Sequence, residues 1–300
     1  MTGTVEGQTP PPPGRSVRLG DGRRLGYIEL GGGDGIPVLW CHGGLSSRLD
    51  AIPAGPEARA LGVRLIAPDR PGVGSSDRLP GRRLLDWPAD ATGLMDALEI
   101  DRFAVVGWSL GGVFAAACAH AVPDRVTGLG LVAACIPRDW GGMTAGLNAM
   151  DRLFLRGAES GGGAARLALA GMRLTAAHAP RSFTRAAGRG QSAAARAALA
   201  DNGGTWFAAA VAEGLRDTRG VLDDYRIMDA PWGFDPSELA VPTRIWQGDE
   251  DRLVPPEWGS RLAAAIAGSD LTAIPGEGHF LPFAHFDEIL RAAVAAPAGG

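Results

Sequence analysis

Short apolar runs, bounded by glycine, proline or aspartate, alternate along this chain with longer stretches whose apolar residues recur at helical spacing. Residues 16–20 and 24–30 read as two strands joined at Asp21-Gly22, a dipeptide suited to a tight hairpin. Residues 36–41, 63–67, 103–106 and 126–133 are continuous apolar runs of strand length, the pattern of strands buried on both faces. Between them, 56–61, 84–98 and 110–121 carry helical spacing. Further strands are predicted over 243–246 and 271–274, and further helices over 257–267 and 286–296. This alternation predicts an α/β fold: a mostly parallel, doubly wound sheet of about eight strands, covered by helices on both faces.

The alternation breaks between about 137 and 232. That stretch is rich in alanine and arginine and shows helical spacing over 143–156, 164–178, 192–200 and 206–215. It is expected to form a helical insert over the sheet. The expected domains are therefore a disordered tail over 1–15, a core made of 16–136 and 233–300, and an insert over 137–232.

Composition narrows the function classes. The net charge is −4, so no strong field favours nucleic acid or an anionic membrane. All 29 basic residues are arginine, which excludes a Schiff base or a serine–lysine mechanism. Cys41, Cys118 and Cys135 are odd in number and widely spaced, so neither a disulfide framework nor a metal centre is expected. The first residues, MTGTVEGQTPPPPGRS, lack the cationic and apolar regions of a secretory signal, and no apolar run is long enough to span a membrane. A cytoplasmic protein acting on a small molecule is the expectation.

The strongest chemical signal is Gly107-Trp108-Ser109-Leu110-Gly111-Gly112, lying between a predicted strand and a predicted helix. This is a G-x-S-x-G nucleophile elbow in the strand–turn–helix context it requires. A serine in such a turn has an unfavourable backbone conformation, and the small flanking residues let strand and helix approach. Serine needs a base, and the base needs an orienting carboxylate. Of the five histidines, His279 follows the last predicted strand and so faces the same sheet edge as Ser109. His42 reads as a loop anchor and His120 as a helix C-cap, while His178 lies in the insert and His285 begins the last helix. The acid comes from Asp249-Glu250-Asp251, after another strand at that edge, with Asp139 as a rival position. An oxyanion would be held by the backbone N–H of Leu110 and by a second donor from the loop carrying Gly43 and Gly44.

With these motifs in order, the chain resembles the α/β-hydrolase fold superfamily from about Ser16 to the C-terminal helix, and the insert matches that family's cap. The resemblance rests on His42-Gly43-Gly44, the run Asp69–Asp77, the elbow, Gly248–Pro255 and Gly276–His279. The family's G-x-x-D-x-x-V-P pattern implies Asp251 as the acid. Its H-G-x pattern implies Gly44 as the second oxyanion donor. The Asp69–Asp77 run resembles a structural turn and is assigned no chemistry. A serine nucleophile disfavours epoxide hydrolysis and dehalogenation, which use aspartate in similar proteins, and Leu45 counts against the perhydrolase branch, where proline is common.

The expected function is hydrolysis of an ester, lactone or thioester by Ser109, His279 and Asp251, without metal or organic cofactor. Activity should fall as pH drops below about 6.5, where an unperturbed imidazole becomes charged. The alternatives are carbon–carbon bond hydrolysis of diketones on the same triad and a non-catalytic ligand-binding role. Trp108, Trp140, Met143, Met150, Trp206 and Phe207 are candidate pocket residues.

Overall fold

The computed structural model describes residues 13–143, 147–160 and 162–295. Eight strands form one sheet: β1 (Arg15–Arg18), β2 (Arg24–Gly31), β3 (Ile36–Cys41), β4 (Val63–Pro68), β5 (Phe103–Trp108), β6 (Val126–Val132), β7 (Thr243–Gly248) and β8 (Asp270–Ile274). Their order is β1-β2-β4-β3-β5-β6-β7-β8. β1 and β2 form the expected hairpin, β2 pairs antiparallel with β4, and every other pairing is parallel. The hairpin takes in Arg15, paired with Tyr27, so the structured chain begins inside the stretch expected to be a tail. Residues 1–12 of that tail lie outside the described residues.

The apolar runs explain the middle of the sheet. Every residue of β5 is buried, and β3 and β4 are buried over most of their length. Helices α1 (Gly55–Ala60), α2 (Trp87–Ala97), α3 (Leu110–Ala121), α10 (Pro256–Ala265) and α11 (Pro282–Val294) pack on the two faces. From β3 the chain crosses to β4 on one side and reaches β5 on the other. The carboxyl ends of these strands flank a crevice at that switch point, which is where open α/β sheets bind ligands.

Between β6 and β7 run α4 (Ala149–Glu159), α5 (Gly163–His178), α6 (Pro180–Ala187), α7 (Ala193–Ala200), α8 (Asn202–Gly214) and α9 (Thr218–Met228). Two of these were not anticipated. In α9 the polar residues Asp223 and Asp224 occupy buried positions, so apolar spacing alone does not show the helix. α6 is short and mostly exposed, with Pro180 in its first position. Of the segment expected to be helical over 143–156, α4 takes in the part from Ala149, capped by Asn148, and residues 144–146 lie outside the described residues. α11 opens with a turn at Pro282, where proline is tolerated, and breaks at His285 (φ −128°), so its regular part begins at Phe286, as expected.

Among the described residues, no helix is long and apolar enough to cross a membrane. Cys41, Cys118 and Cys135 are all free and buried.

Candidate active site

Ser109 sits between β5 and α3 with φ 57° and ψ −124°, a conformation that few non-glycine residues adopt. Its backbone is clamped on both sides. The Ser109 N–H donates to the Val132 carbonyl at 2.8 Å, and its carbonyl accepts from the Gly112 N–H at 3.0 Å. The flanking glycines are required by contact: a Cβ on Gly111 would stand 2.0 Å from the Cys41 carbonyl oxygen, and one on Gly107 2.2 Å from the Gly111 oxygen. The sharp turn lifts Oγ above the sheet edge, at the N-terminus of α3.

His279, in the loop after β8, places Nε2 3.0 Å from Ser109 Oγ. Its Nδ1 lies 2.9 Å from Asp251 Oδ2. The other oxygen, Asp251 Oδ1, accepts from the Leu253 N–H at 2.8 Å and the Val254 N–H at 2.9 Å. Trp108 fixes the histidine loop by donating its indole N–H to the His279 carbonyl at 2.9 Å. Asp251 and His279 are both buried. The competing carboxylates lie elsewhere. Asp249 is exposed and accepts from the Gly276 N–H, Glu250 is exposed, and Asp139 is exposed in a short 3-10 turn.

The remaining histidines also separate from this line. His120 stacks on Phe234 at 4.2 Å at the end of α3, and His285 is 3.1 Å from Glu277. His178 is exposed at the end of α5. His42 is completely buried, and burial, followed by the charge of Arg70, holds its pKa well below the usual histidine value. A neutral imidazole fits its bonds: Nδ1 donates to the Gly43 carbonyl at 2.9 Å, while Nε2 accepts the Arg70 N–H at 3.2 Å.

This histidine and Arg70 together set the plane of one peptide. The Arg70 guanidinium donates from Nη2 to the Gly43 carbonyl at 2.9 Å and from Nη1 to the His42 carbonyl. Asp50 takes the Gly43 N–H at 3.0 Å and the Trp40 indole N–H at 2.8 Å; burial pushes its carboxyl up to about 6. The chain has no cis peptide among the described residues. In a trans peptide the N–H points opposite the C=O, so holding the Gly43 oxygen toward Arg70 turns the Gly44 N–H the other way. Gly44 and Leu110 are neighbours there: a Cβ on Gly44 would lie 3.6 Å from the Leu110 side chain.

Arg70 is itself anchored from the helical insert. Its Nε donates to Asp224 Oδ2 on α9 at 3.0 Å, and Arg82 donates to the other oxygen of the same carboxylate. The phenyl ring of Phe114 lies beneath the Arg70 guanidinium, 4.7 Å from its carbon. Sequence reasoning gave the Asp69–Asp77 run no chemistry and so missed Arg70. The signal available was a charged pair, Asp69-Arg70, placed directly after an apolar strand at the functional edge.

Above Ser109 opens a cavity of about 750 Å³ reached by Gly44, Leu110 and His279. Its walls are mainly apolar, with Leu147, Met172, Phe183, Phe207, Met228 and Phe280 among them. Of the expected pocket residues, Trp108, Met150 and Phe207 line it. Trp140 does not; it lies under the Arg261 guanidinium, whose carbon is 5.4 Å from the ring. Met143 is fully buried and Trp206 half-buried, both away from the cavity lining.

Residues 36–286 match the family model of the alpha/beta hydrolase fold. The chain belongs to this family. Among solved structures it is similar to an alpha/beta hydrolase fold protein from Nakamurella multipartita, with 25% identity, 96% and 100% of the two chains covered and a TM-score of 0.70. It is also similar to the enol-lactonase from Burkholderia xenovorans, with 18% identity, 93% and 98% covered and a TM-score of 0.69, a likeness of fold. Among curated proteins, the 2-hydroxy-6-oxo-2,4-heptadienoate hydrolase of Pseudomonas putida is 37% identical over 126 residues, or 40% of this chain and 44% of that protein. The non-heme chloroperoxidase of Streptomyces lividans is 35% identical over 124 residues, or 41% of this chain and 45% of that protein. The chain thus spans less than half the length of these curated relatives.

Proposed function

We propose that this chain is a serine hydrolase that cleaves an ester, lactone or thioester of a small, mainly apolar molecule. The observation that carries the reading is the continuous line Asp251–His279–Ser109, which opens at Ser109 into the apolar cavity. Ser109 Oγ attacks the carbonyl carbon while His279 Nε2 takes the hydroxyl proton. Asp251 holds the imidazole with its proton on Nδ1 and stabilises the imidazolium as it forms. The developing oxyanion is held by the N–H groups of Leu110 and Gly44. His279 then gives its proton to the leaving group, and water releases the acid from the acyl-enzyme by the same route. In this reading residues 137–232 act as the cap that closes the cavity, and residues 16–136 with 233–300 form the catalytic core. Three unpaired, buried thiols support a reducing, cytoplasmic setting.

The likeness to a 2-hydroxy-6-oxo-2,4-heptadienoate hydrolase keeps carbon–carbon bond hydrolysis as the second reading. A panel of p-nitrophenyl esters set against a vinylogous diketone separates the two. Esters are expected to turn over and the diketone to remain intact; the reverse pattern would replace the first reading by the second. Perhydrolysis finds less support, because Leu45 has φ 58°. A proline ring holds φ near −65°, so this loop has no place for the proline common in that branch.

The grip of Arg70 on the Gly43 carbonyl gives a further expected result. Arg70→Lys keeps a cation beside Asp224 but loses the planar fork that grips two carbonyls. With the Gly44 N–H less well aimed, kcat is expected to fall by about ten- to a hundredfold, short of the loss of a whole oxyanion donor. KM should stay within about threefold, because the ground-state carbonyl depends less on this donor. Steady-state kinetics on p-nitrophenyl acetate, with a melting curve to confirm folding, check it. An unchanged kcat would separate Arg70 from the oxyanion loop.

A further inference from the structure

One carboxylate lines the catalytic cavity with no arginine paired to it among the described residues. Asp151 lies in the first turn of α4 and lines the cavity wall. Its Oδ1 accepts from the Tyr225 hydroxyl at 2.6 Å and its Oδ2 from the Asn148 side-chain amide at 2.7 Å. Both donors are neutral, so they fix the group in place without cancelling its charge. Arg189 and Arg252 also line the cavity, yet both are exposed, and neither pairs with Asp151 among the described residues. Enclosure raises the Asp151 pKa above the usual aspartate value, while the Tyr225 bond and the nearby His279 pull it down.

Helix capping does not account for this arrangement. Asn148 already caps α4, accepting from the Met150 N–H at 2.8 Å and the Asp151 N–H at 3.0 Å. An acidic residue in a first turn also favours the helix dipole, but that effect needs no buried tyrosine hydroxyl from another helix. Enclosed charges in proteins are normally paired, since an isolated one loses its hydration without compensation. Here the space left for a partner is the ligand cavity itself.

We infer that this wall of the cavity receives an ammonium group carried by the substrate, with Asp151 as its countercharge and Tyr225 and Asn148 as its brace. The substrate class is an ester-like molecule bearing an amine, its carbon chain lying against Leu147, Met172 and Met228. The inference rests on the hydrolase reading for what happens next, but binding can be measured without turnover.

Calorimetric titration of the full chain at pH 7 and low salt, with n-hexylammonium and 1-hexanol as chain-matched probes, tests it. Hexylammonium is expected to bind at least about tenfold more tightly, as a partly desolvated charge pair allows. Asp151→Asn should remove that preference and leave hexanol affinity within about twofold. Equal binding of the two probes by the unaltered protein overturns the inference, as does a preference that survives Asp151→Asn. If melting curves show Asp151→Asn unfolded, Asp151→Ala takes its place. Removing the carboxylate altogether should likewise abolish the ammonium preference, and a preference that survives overturns the inference. Failure here leaves ester hydrolysis standing, and failure of hydrolysis shows separately in the ester panel.

Discussion

Ser109→Ala is expected to lower kcat/KM for p-nitrophenyl esters by at least about 10⁴-fold, since the attacking oxygen is gone and only cavity binding and the oxyanion donors remain. The fold should not change. Alanine keeps the Cβ and therefore the same strained turn, and no bond from Oγ is needed to hold β5 against α3. Ser109→Gly gives the complementary result. Activity is lost equally, but a residue at φ 57° without a Cβ releases about 1–3 kcal/mol of strain, offset by about 0.5–1 kcal/mol from the extra freedom of an unfolded glycine. The glycine variant should therefore melt a few degrees higher than the alanine variant. Ester assays and differential scanning calorimetry on the pair check both halves. An alanine variant retaining most of its activity would remove Ser109 from the chemistry.

That strained turn shows why the sheet edge carrying the candidate site was legible in the sequence. Apolar runs of strand length forced β3 to β6 into the middle of the sheet, and parallel strands deliver their following loops to one edge. Position in the chain therefore became position in space for Gly44, Ser109, Asp251 and His279. What failed to show had a different cause. Arg70, Asp224 and Arg82 are charged residues that apolar patterning counts as surface, yet all three are buried in one ion network. Their places follow from pairings 142 to 154 residues apart, which no local pattern records. Asp151 escaped for the same reason, because its partner Tyr225 is 74 residues away on α9. Local propensity explains the elements; the polar contacts between the insert and the sheet need the assembled molecule.

Asp251→Asn is expected to cost about 10⁴-fold in kcat, as the corresponding change does where the histidine tautomer is inverted, while KM changes little. The local bonds leave the new amide a single good orientation. Its oxygen must stay where Oδ1 was, because the Leu253 and Val254 N–H groups both donate there, at 2.8 and 2.9 Å. Turning the amide over would set its NH₂ against those two donors and leave all of them unpaired, at a cost of about 1–3 kcal/mol for each buried group. The NH₂ therefore faces His279 Nδ1, which can then only accept. The ring proton moves to Nε2, the atom 3.0 Å from Ser109 Oγ, and the base loses the lone pair that should take the serine proton. Glu250→Gln, on the exposed neighbour, makes the control and should stay within about twofold of the unaltered rate, as surface substitutions usually do. Steady-state kinetics on both variants at pH 7.5 decide the matter. A loss below about tenfold for Asp251→Asn would mean that the imidazole is oriented by something other than this carboxylate, and the bond between them would be structural.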